Sequence, residues 1–368
     1  MYEAGRRLRR LGALTNASRD YPLAVLKRGF PMKAIVYHHY GSPDVLKCEE
    51  IEKPTAGDNE VLIKVRAASV NPLDGGVMKG RPYIARILYG LRKPKDTRPG
   101  VDVAGQVEAV GRNVTLFKPG DEVFGVCISD PQASGVKVWV HHQGAFAEYV
   151  CAPESTLVLK PPNVTFEQAA AAPVAAFTAL QGLRDKRHIQ PGQKVLINGA
   201  AGGVGTFAVQ IAKSFGAHVT GVCSTRNVDM VRSIGADRVI DYMREDFTKS
   251  GRSYDLLLDL IGNRSLSACR RVVNPTGILL LAGGPGSRWI IGLMARPIKA
   301  LVLSPFVSQK LVMFLARPNK DDLTVMHELM KAGKVTAVID RRYKLSEVPE
   351  AIRYLERKHA RGKVVITL

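Results

Sequence analysis

The sequence is short of the features that mark a secreted or membrane-embedded chain. Cysteine is scarce: Cys48, Cys127, Cys151, Cys223 and Cys269 stand singly, with no Cys-x-x-Cys. An odd, scattered set argues against a disulfide framework and fits a reducing compartment. The closely placed thiol and imidazole ligands of a tetrahedral zinc site are also missing. Cys127 and Cys151 read as small core residues, and His141-His142 as an exposed loop pair. No clean apolar run reaches the roughly 18 residues of a membrane span. The longest candidate, Trp289 to Phe314, is broken by Arg296, Pro297, Lys299, Pro305 and Lys310. Repeats and low-complexity tracts are absent. With 46% apolar residues in 368, the composition is that of a globular chain long enough for two domains.

Acidic residues are in deficit, 33 against 53 Lys+Arg, which leaves a formal net charge of +20. The basic residues carry no binding module, zinc knuckle or interleaved aromatics, so nucleic acid is not an expected partner. An anionic cofactor, an acidic membrane surface or plain solubility is left to account for the excess. Part of it sits at the start: residues 1–31 hold seven basic side chains against Glu3 and Asp20. This segment reads as a disordered or targeting-like extension, cytoplasmic placement being expected unless it is a true organelle presequence.

From Met32 the pattern becomes one of strands. Met32 to Tyr37, Glu60 to Arg66, Val101 to Val110, Asp121 to Val126 and Ala145 to Val150 alternate or are β-branched, with Gly and Pro between them. A compact, partly open β-barrel over 32 to about 157 is expected. From Lys194 strand and helix alternate. The strand Val195 to Asn198 leads into Gly199-Ala200-Ala201-Gly202-Gly203-Val204-Gly205. A helical segment, Thr206 to Phe215, and a second strand, His218 to Cys223, follow. Glycines at the first turn of a βαβ unit let backbone N–H groups approach a pyrophosphate at a helix N-terminus. Strands at Arg238 to Ile240, Asp255 to Asp259 and Gly277 to Ala282 extend this to a doubly wound parallel sheet.

The end of the second strand selects the cofactor. An acidic residue about 20 positions past the glycines holds the ribose 2′-hydroxyl of NAD and repels a 2′-phosphate. Here stand Cys223, Ser224, Thr225 and Arg226. Hydroxyls and a guanidinium suit a phosphate, so NADPH is the expected cofactor.

Taken together, Ala68 to Asp74, Pro99 to Gly105, Phe117 to Val123, Ala175 to Leu180, Asn198 to Gly205, Ile234 to Asp237, Val239 to Tyr242 and His359 to Val365 resemble the medium-chain dehydrogenase/reductase superfamily. Within it the chain looks most like the zinc-free quinone oxidoreductase branch. The resemblance implies an α/β chain with a GroES-like catalytic domain at 32–157 and a Rossmann NADPH-binding domain at 158–305. A return to the catalytic domain over 306–368 completes it. It further implies Asn71 beside the nicotinamide ribose, Thr178 on the carboxamide, and Ala201, Gly202, Gly203, Val204 and Gly205 around the pyrophosphate. Ser224, Thr225, Arg226 and Tyr242 would surround the 2′-phosphate. Gly262, Gly283, His359, Ala360 and Arg361 would complete the cofactor site, in a homodimer. Zinc enzymes of the family have ligands where this chain has Asn71 and Gly100-Val101-Asp102, so no metal is expected. Several relatives carry a Tyr two residues after the motif's Asp, where this chain has Gly76. Tyr83 or Tyr89, in the basic loop Lys79 to Arg98, would then donate the proton, unless solvent does. That loop and Gly284 to Phe306 are the expected substrate walls. The implied reaction is hydride transfer to a quinone or an α,β-unsaturated carbonyl. The alternative is an NADPH-binding accessory protein at an acidic membrane surface.

Overall fold

The computed structural model describes residues 30–128, 144–185, 189–282, 298–304, 307–357 and 359–368. The basic extension up to residue 29, His141-His142, Gly283 and most of the 284–306 wall lie outside the described residues. Among the described residues fifteen strands form three sheets. A hairpin pairs β1 (Pro31–Val36) with β2 (Lys47–Glu52). Next come β3 (Glu60–Val70), β4 (Asp102–Val110), β5 (Glu122–Val126), β6 (Tyr149–Pro153) and β7 (Leu157–Leu159). The parallel sheet contributes β8 (Lys194–Asn198), β9 (His218–Cys223), β10 (Arg238–Asp241), β11 (Tyr254–Asp259), β12 (Val273–Leu281) and β13 (Lys310–Met313). The chain ends with β14 (Ile339–Lys344) and β15 (Lys363–Thr367).

The barrel-forming sheet runs β14-β15-β3-β4-β5-β7, with β6 also on β3. Long β3 is its axis, antiparallel to β4, β6 and β15. The last strand of the chain is thereby placed beside one of the first. The expected strand Ala145 to Val150 starts later, at Tyr149. Ala145 and Phe146 instead donate their N–H groups to Gly100 and Pro99, outside the ladder.

The second sheet has the order β10-β9-β8-β11-β12-β13, all parallel. Numbered from β8 this is 3-2-1-4-5-6, whose topological switch point lies between β8 and β11. Parallel strands are covered by helices on both faces, which is why β8, β9 and β11 read as near-continuous apolar runs. On one face Val195, Ile197, Val219, Leu256 and Leu258 pack under the helices Pro173–Leu180 and Gly203–Ser214. On the other, Leu196, Val222, Ile240 and Leu257 meet Phe247, Leu266 and Cys269. The alanines of 169–179 let the first helix approach closely, and Phe177 and Phe207 fill the layer. Burying each of those rings contributes roughly 1.5–3 kcal/mol. The same core continues into the barrel through Ala67, Ala104, Phe124 and Val126.

The parallel sheet extends past the expected boundary at residue 305. Its sixth strand is β13, paired with β12 from Ile278↔Lys310 onward. The helix Lys320–Lys331 then lies against both β7 and the helix Pro173–Leu180, its His327 bonded to the Leu159 carbonyl and its Asp322 tied to Gln181 and Arg184. The chain rejoins the barrel sheet as a strand at β14. Short apolar runs interrupted by Lys310 and Arg317 gave no strand signal in the sequence.

Candidate functional site

At the carboxyl end of β8 the chain turns through Gly199, whose φ of +97° is a left-handed value that favours glycine. Gly205 is required by space: a Cβ there would lie 2.1 Å from the Gly199 carbonyl oxygen. The helix Gly203–Ser214 therefore seats directly on the turn. Its N-cap is Gly202, and no side chain caps it. The first-turn N–H groups of Gly203, Val204 and Gly205 are left for an outside acceptor, at the positive end of the helix dipole. Above Gly202 the space is open: a Cβ at that position would meet only the Gly199 oxygen within 4 Å. This cradle fits a dinucleotide pyrophosphate.

The other side of the crevice is built by Asp259, at the end of β11 and wholly buried. Its Oδ1 accepts hydrogen bonds from the N–H groups of Gly262 at 2.9 Å and Ile261 at 3.2 Å, and from Asn198 Nδ2 at 2.9 Å. Gly262 is thus held at the switch point, opposite the glycine turn.

The last strand reaches the turn from the barrel. Gly362 donates its N–H to the Ala201 carbonyl at 2.8 Å and forms an isolated bridge with Gly202. The next residue, Lys363, is only 3% exposed. Its Nζ donates to Asn71 Oδ1 at 2.6 Å and stands 3.4 Å from Asp102 Oδ2. The same carboxylate oxygen accepts from Ser69 Oγ at 2.7 Å and Asn71 Nδ2 at 2.9 Å, while Oδ1 accepts from the Val174 N–H at 3.0 Å. Strand register assembles this group: Ser69 faces Asp102 across β3 and β4, and Val70 faces Val364 across β3 and β15. Thr178 lies one helical turn beyond Val174 and donates its hydroxyl to the Val174 carbonyl at 2.9 Å. Asn71 and Thr178 are therefore brought to one site, with Asp102 between them. Asn71 itself is 3% exposed, its amide engaged at both ends.

Beneath Asn71, Asp74 accepts the Asn71 backbone N–H at 2.7 Å. Burial, the largest influence, pushes its carboxyl up to about 7, and nearby Asp102 pushes the same way. The Asn71 hydrogen bond and the Lys363 charge act in opposition. The ammonium contacts Asp102 and acts on Asp74 only from a distance.

At the other end of the crevice lie Ser224, Thr225 and Arg226. Ser224 Oγ accepts from Asn227 Nδ2 at 3.1 Å, and Arg226 Nη2 donates to the His359 carbonyl at 2.7 Å. Arg361 is held close by, its N–H on Asp340 Oδ2 at 2.9 Å, and Ala360 packs on the barrel core. Tyr242 is exposed, its N–H on the Cys223 carbonyl. Burial raises the Cys223 thiol to about 11, so it brings no charge. The expectation of a pocket without a carboxylate needs correcting, however. Asp241 ends the neighbouring strand in register with Cys223, and its Oδ2 accepts from Thr225 Oγ1 at 2.7 Å. That bond, the largest influence, holds Asp241 below the usual carboxylate range. Arg244 stands 3.5 Å away as a partial counter-charge.

Tyr83 is 38% exposed, and its ring lies 5.0 Å from the Arg86 guanidinium of its own segment. Tyr89 is half-buried, and its hydroxyl is raised chiefly by burial. A cavity of about 380 Å³ lies at the opposite, amino edge of the parallel sheet, lined by Lys194, His218, Arg238 and Arg252 among others. It is remote from the strand ends that carry the site. Sequence reasoning missed Asp102, Asp259 and Lys363 as site residues, although all three lie inside or beside motifs it used.

Zinc does not fit the Asn71 group. Its donors are an amide, a hydroxyl and one carboxylate, and an ammonium already occupies the cation position between them. Among the described residues no three His, Cys, Asp or Glu are grouped as metal ligands.

A 3-2-1-4-5-6 parallel sheet with an uncapped glycine turn, closed by an antiparallel barrel that sends its last strand into the crevice, defines a dinucleotide-dependent oxidoreductase fold. Residues 57–162 match the family described as alcohol dehydrogenase GroES-like domain, and residues 234–366 that described as zinc-binding dehydrogenase. The chain is 36% identical over 340 residues to the NADPH-dependent alkenal/one oxidoreductase, chloroplastic, of Arabidopsis thaliana, covering 91% of this chain and 79% of that protein. It is 34% identical over 348 residues to the chloroplast envelope quinone oxidoreductase homolog of the same plant, covering 91% and 98%. The solved quinone oxidoreductase from Coxiella burnetii superposes with a TM-score of 0.78 at 32% identity, covering 92% of this chain and all of that one. The chain belongs to the medium-chain dehydrogenase/reductase superfamily.

Proposed function

We propose that this protein uses NADPH to reduce a quinone or the conjugated double bond of an α,β-unsaturated carbonyl. The observation that carries the reading is the buried Lys363–Asn71–Asp102 group beside the dinucleotide turn. A saturated ketone puts charge on oxygen at once and needs a Lewis acid or a strong donor. This group offers no open ligand set for an ion. A quinone or enone spreads the charge through its own π-system, so orientation and exclusion of water suffice. The names of the compared relatives point the same way. When bound, the nicotinamide supplies the hydride. The chain's residues do the rest: the turn at Ala201–Gly205 holds the pyrophosphate, and Arg226 with Ser224 and Thr225 receives the 2′-phosphate. Asn71 and Thr178 orient the nicotinamide end, with Gly262 at its back and His359 to Arg361 closing over it. A homodimer is part of the same reading, through β13, the edge strand of the parallel sheet among the described residues. The chloroplast names of two relatives support the organelle alternative over cytoplasmic placement.

The test is a steady-state panel of enals, enones, quinones, saturated ketones and, with NADP+, simple alcohols. Turnover of the conjugated acceptors is expected, with deuterium from labelled NADPH arriving at the β-carbon of an enone. Robust alcohol oxidation with no reduction of either conjugated class refutes the proposal. NADPH binding without turnover of any acceptor supports the accessory-protein alternative.

A further inference from the structure

We propose that Lys363 is a positioning residue, which fixes the Asn71 carboxamide and so places the nicotinamide end of the cofactor. The proposal rests on the NADPH reading above and deepens it. A lysine beside a phosphate-binding turn is ordinarily read as a phosphate ligand. The geometry here points elsewhere. Lys363 turns its aliphatic stem to the glycines, with Cδ 3.1 Å from where a Gly203 Cβ would stand. The ammonium faces away, toward Asn71, Asp102 and the Val70 carbonyl.

Neutralising Asp102 is the obvious alternative role, and the distances decide against it as the principal one. Asp102 already accepts from Ser69, Asn71 and Val174 at 2.7 to 3.0 Å, whereas Lys363 stands at 3.4 Å. The shortest contact of the ammonium is the amide oxygen of Asn71, at 2.6 Å. That oxygen accepts only, and the amide nitrogen donates only. A flipped amide would set N–H against the ammonium and oxygen against the carboxylate. Lys363 and Asp102 therefore permit one orientation, in which one Nδ2 hydrogen goes to Asp102, the other faces the Ser69 carbonyl at 3.5 Å, and Oδ1 keeps one lone pair for a ligand. Asn71 is an acceptor for a hydroxyl or amide N–H, pre-set before the cofactor arrives. Because Gly362 is bonded to Ala201, the lysine that pre-sets this acceptor is the residue directly after the one tied to the pyrophosphate turn.

The experiment compares Lys363→Met with the wild type in titrations of NADPH and of 2′-phospho-ADP-ribose, which lacks the nicotinamide. NADPH affinity is expected to fall about tenfold while the fragment changes less than about twofold. With an enone, kcat should fall about tenfold or more and the acceptor KM change little. Adding Asn71→Ala to Lys363→Met should cost nothing further, as for residues acting as one unit. Equal weakening of both nucleotides, no change in either, or losses that multiply in the double variant overturns the proposal. Should Lys363→Met fail to fold with Asp102 left without a counter-charge, Lys363→Met/Asp102→Asn removes both charges and is held to the same nucleotide pattern. Wild-type protein that binds both nucleotides but reduces no acceptor refutes the activity reading alone. Wild-type protein that binds neither refutes the cofactor reading and this proposal with it.

Discussion

Asp74 sets the sharpest test of the buried charge group. Its carboxyl is wholly buried beneath Asn71, within reach of a second carboxylate, and is pushed up to about 7. An ordinary aspartate ionises near 3.9, so ionising Asp74 in the folded protein carries a penalty of about 4 kcal/mol. Its folded value lies above its unfolded one. Between about pH 4 and 7 the folded state keeps a proton that the unfolded state has lost, and stability drains away as pH rises through that window. The loss between pH 5 and pH 8 comes to about 2.5 kcal/mol. Asp74→Asn keeps the size of the side chain and an acceptor for the Asn71 N–H, now at 2.7 Å from Oδ2, and cannot ionise. The variant should therefore gain on the wild type by about 2.5 kcal/mol from pH 5 to pH 8 in denaturant titrations. The difference infrared spectrum of the two proteins should show a protonated carboxyl band that disappears near pH 7. Parallel stability curves, or a band that titrates near 4, would refute the reasoning.

Three further outcomes follow from the geometry. Arg226→Glu should weaken NADPH binding about tenfold or more and leave NADH nearly unchanged, since it adds a second negative charge beside Asp241; fluorescence titration of both cofactors checks it. Gly205→Ala forces a methyl to 2.1 Å from the Gly199 oxygen and should cost roughly 1–3 kcal/mol of stability and most nucleotide affinity, read by thermal melts with and without NADPH. Asp259→Ala strips the acceptor from Ile261, Gly262 and Asn198; a loss of at least about 1–3 kcal/mol is expected by denaturant titration.

What the sequence discloses follows from how local each cause is. Val195 to Asn198, the glycines and His218 to Cys223 announce themselves because turn, helix and strands lie within 30 residues and each obeys a local rule. The antiparallel barrel strands are visible for the same reason. Lys363 is the opposite case. It follows Arg357, Lys358, His359 and Arg361, a run that reads as solvated, and its partner Asn71 is 292 positions away. Only the pairing of β15 with β3 carries it inward. A shift of one residue would turn the whole set of side chains to the other face of the sheet. Asp102 was inside a recognised motif, but nothing local says that a strand aspartate faces an ammonium and a helix N-terminus at once.

The cofactor end of the site makes the same point with a different consequence. The rule that reads NAD or NADP preference inspects the end of one strand, here Cys223, and finds it neutral. The crevice is lined by two strands, and the second ends in Asp241, opposite Cys223. Thr225 connects them, donating its hydroxyl to Asp241. A 2′-phosphate arriving at Ser224 and Arg226 thus meets a carboxylate already engaged by a hydroxyl and standing 3.5 Å from Arg244. On the proposed reading the balance still favours the phosphate, because Arg226 brings a guanidinium to the exposed side, where it donates to the neutral carbonyl of His359. Thr225 is then more than a hydroxyl beside the pocket. By holding Asp241 it keeps that charge turned toward its own turn at Met243, whose N–H Asp241 also accepts at 3.0 Å. On the proposed reading, preference for the phosphorylated cofactor is then a property of the Thr225–Asp241 pair together with Arg226, and no single strand end encodes it.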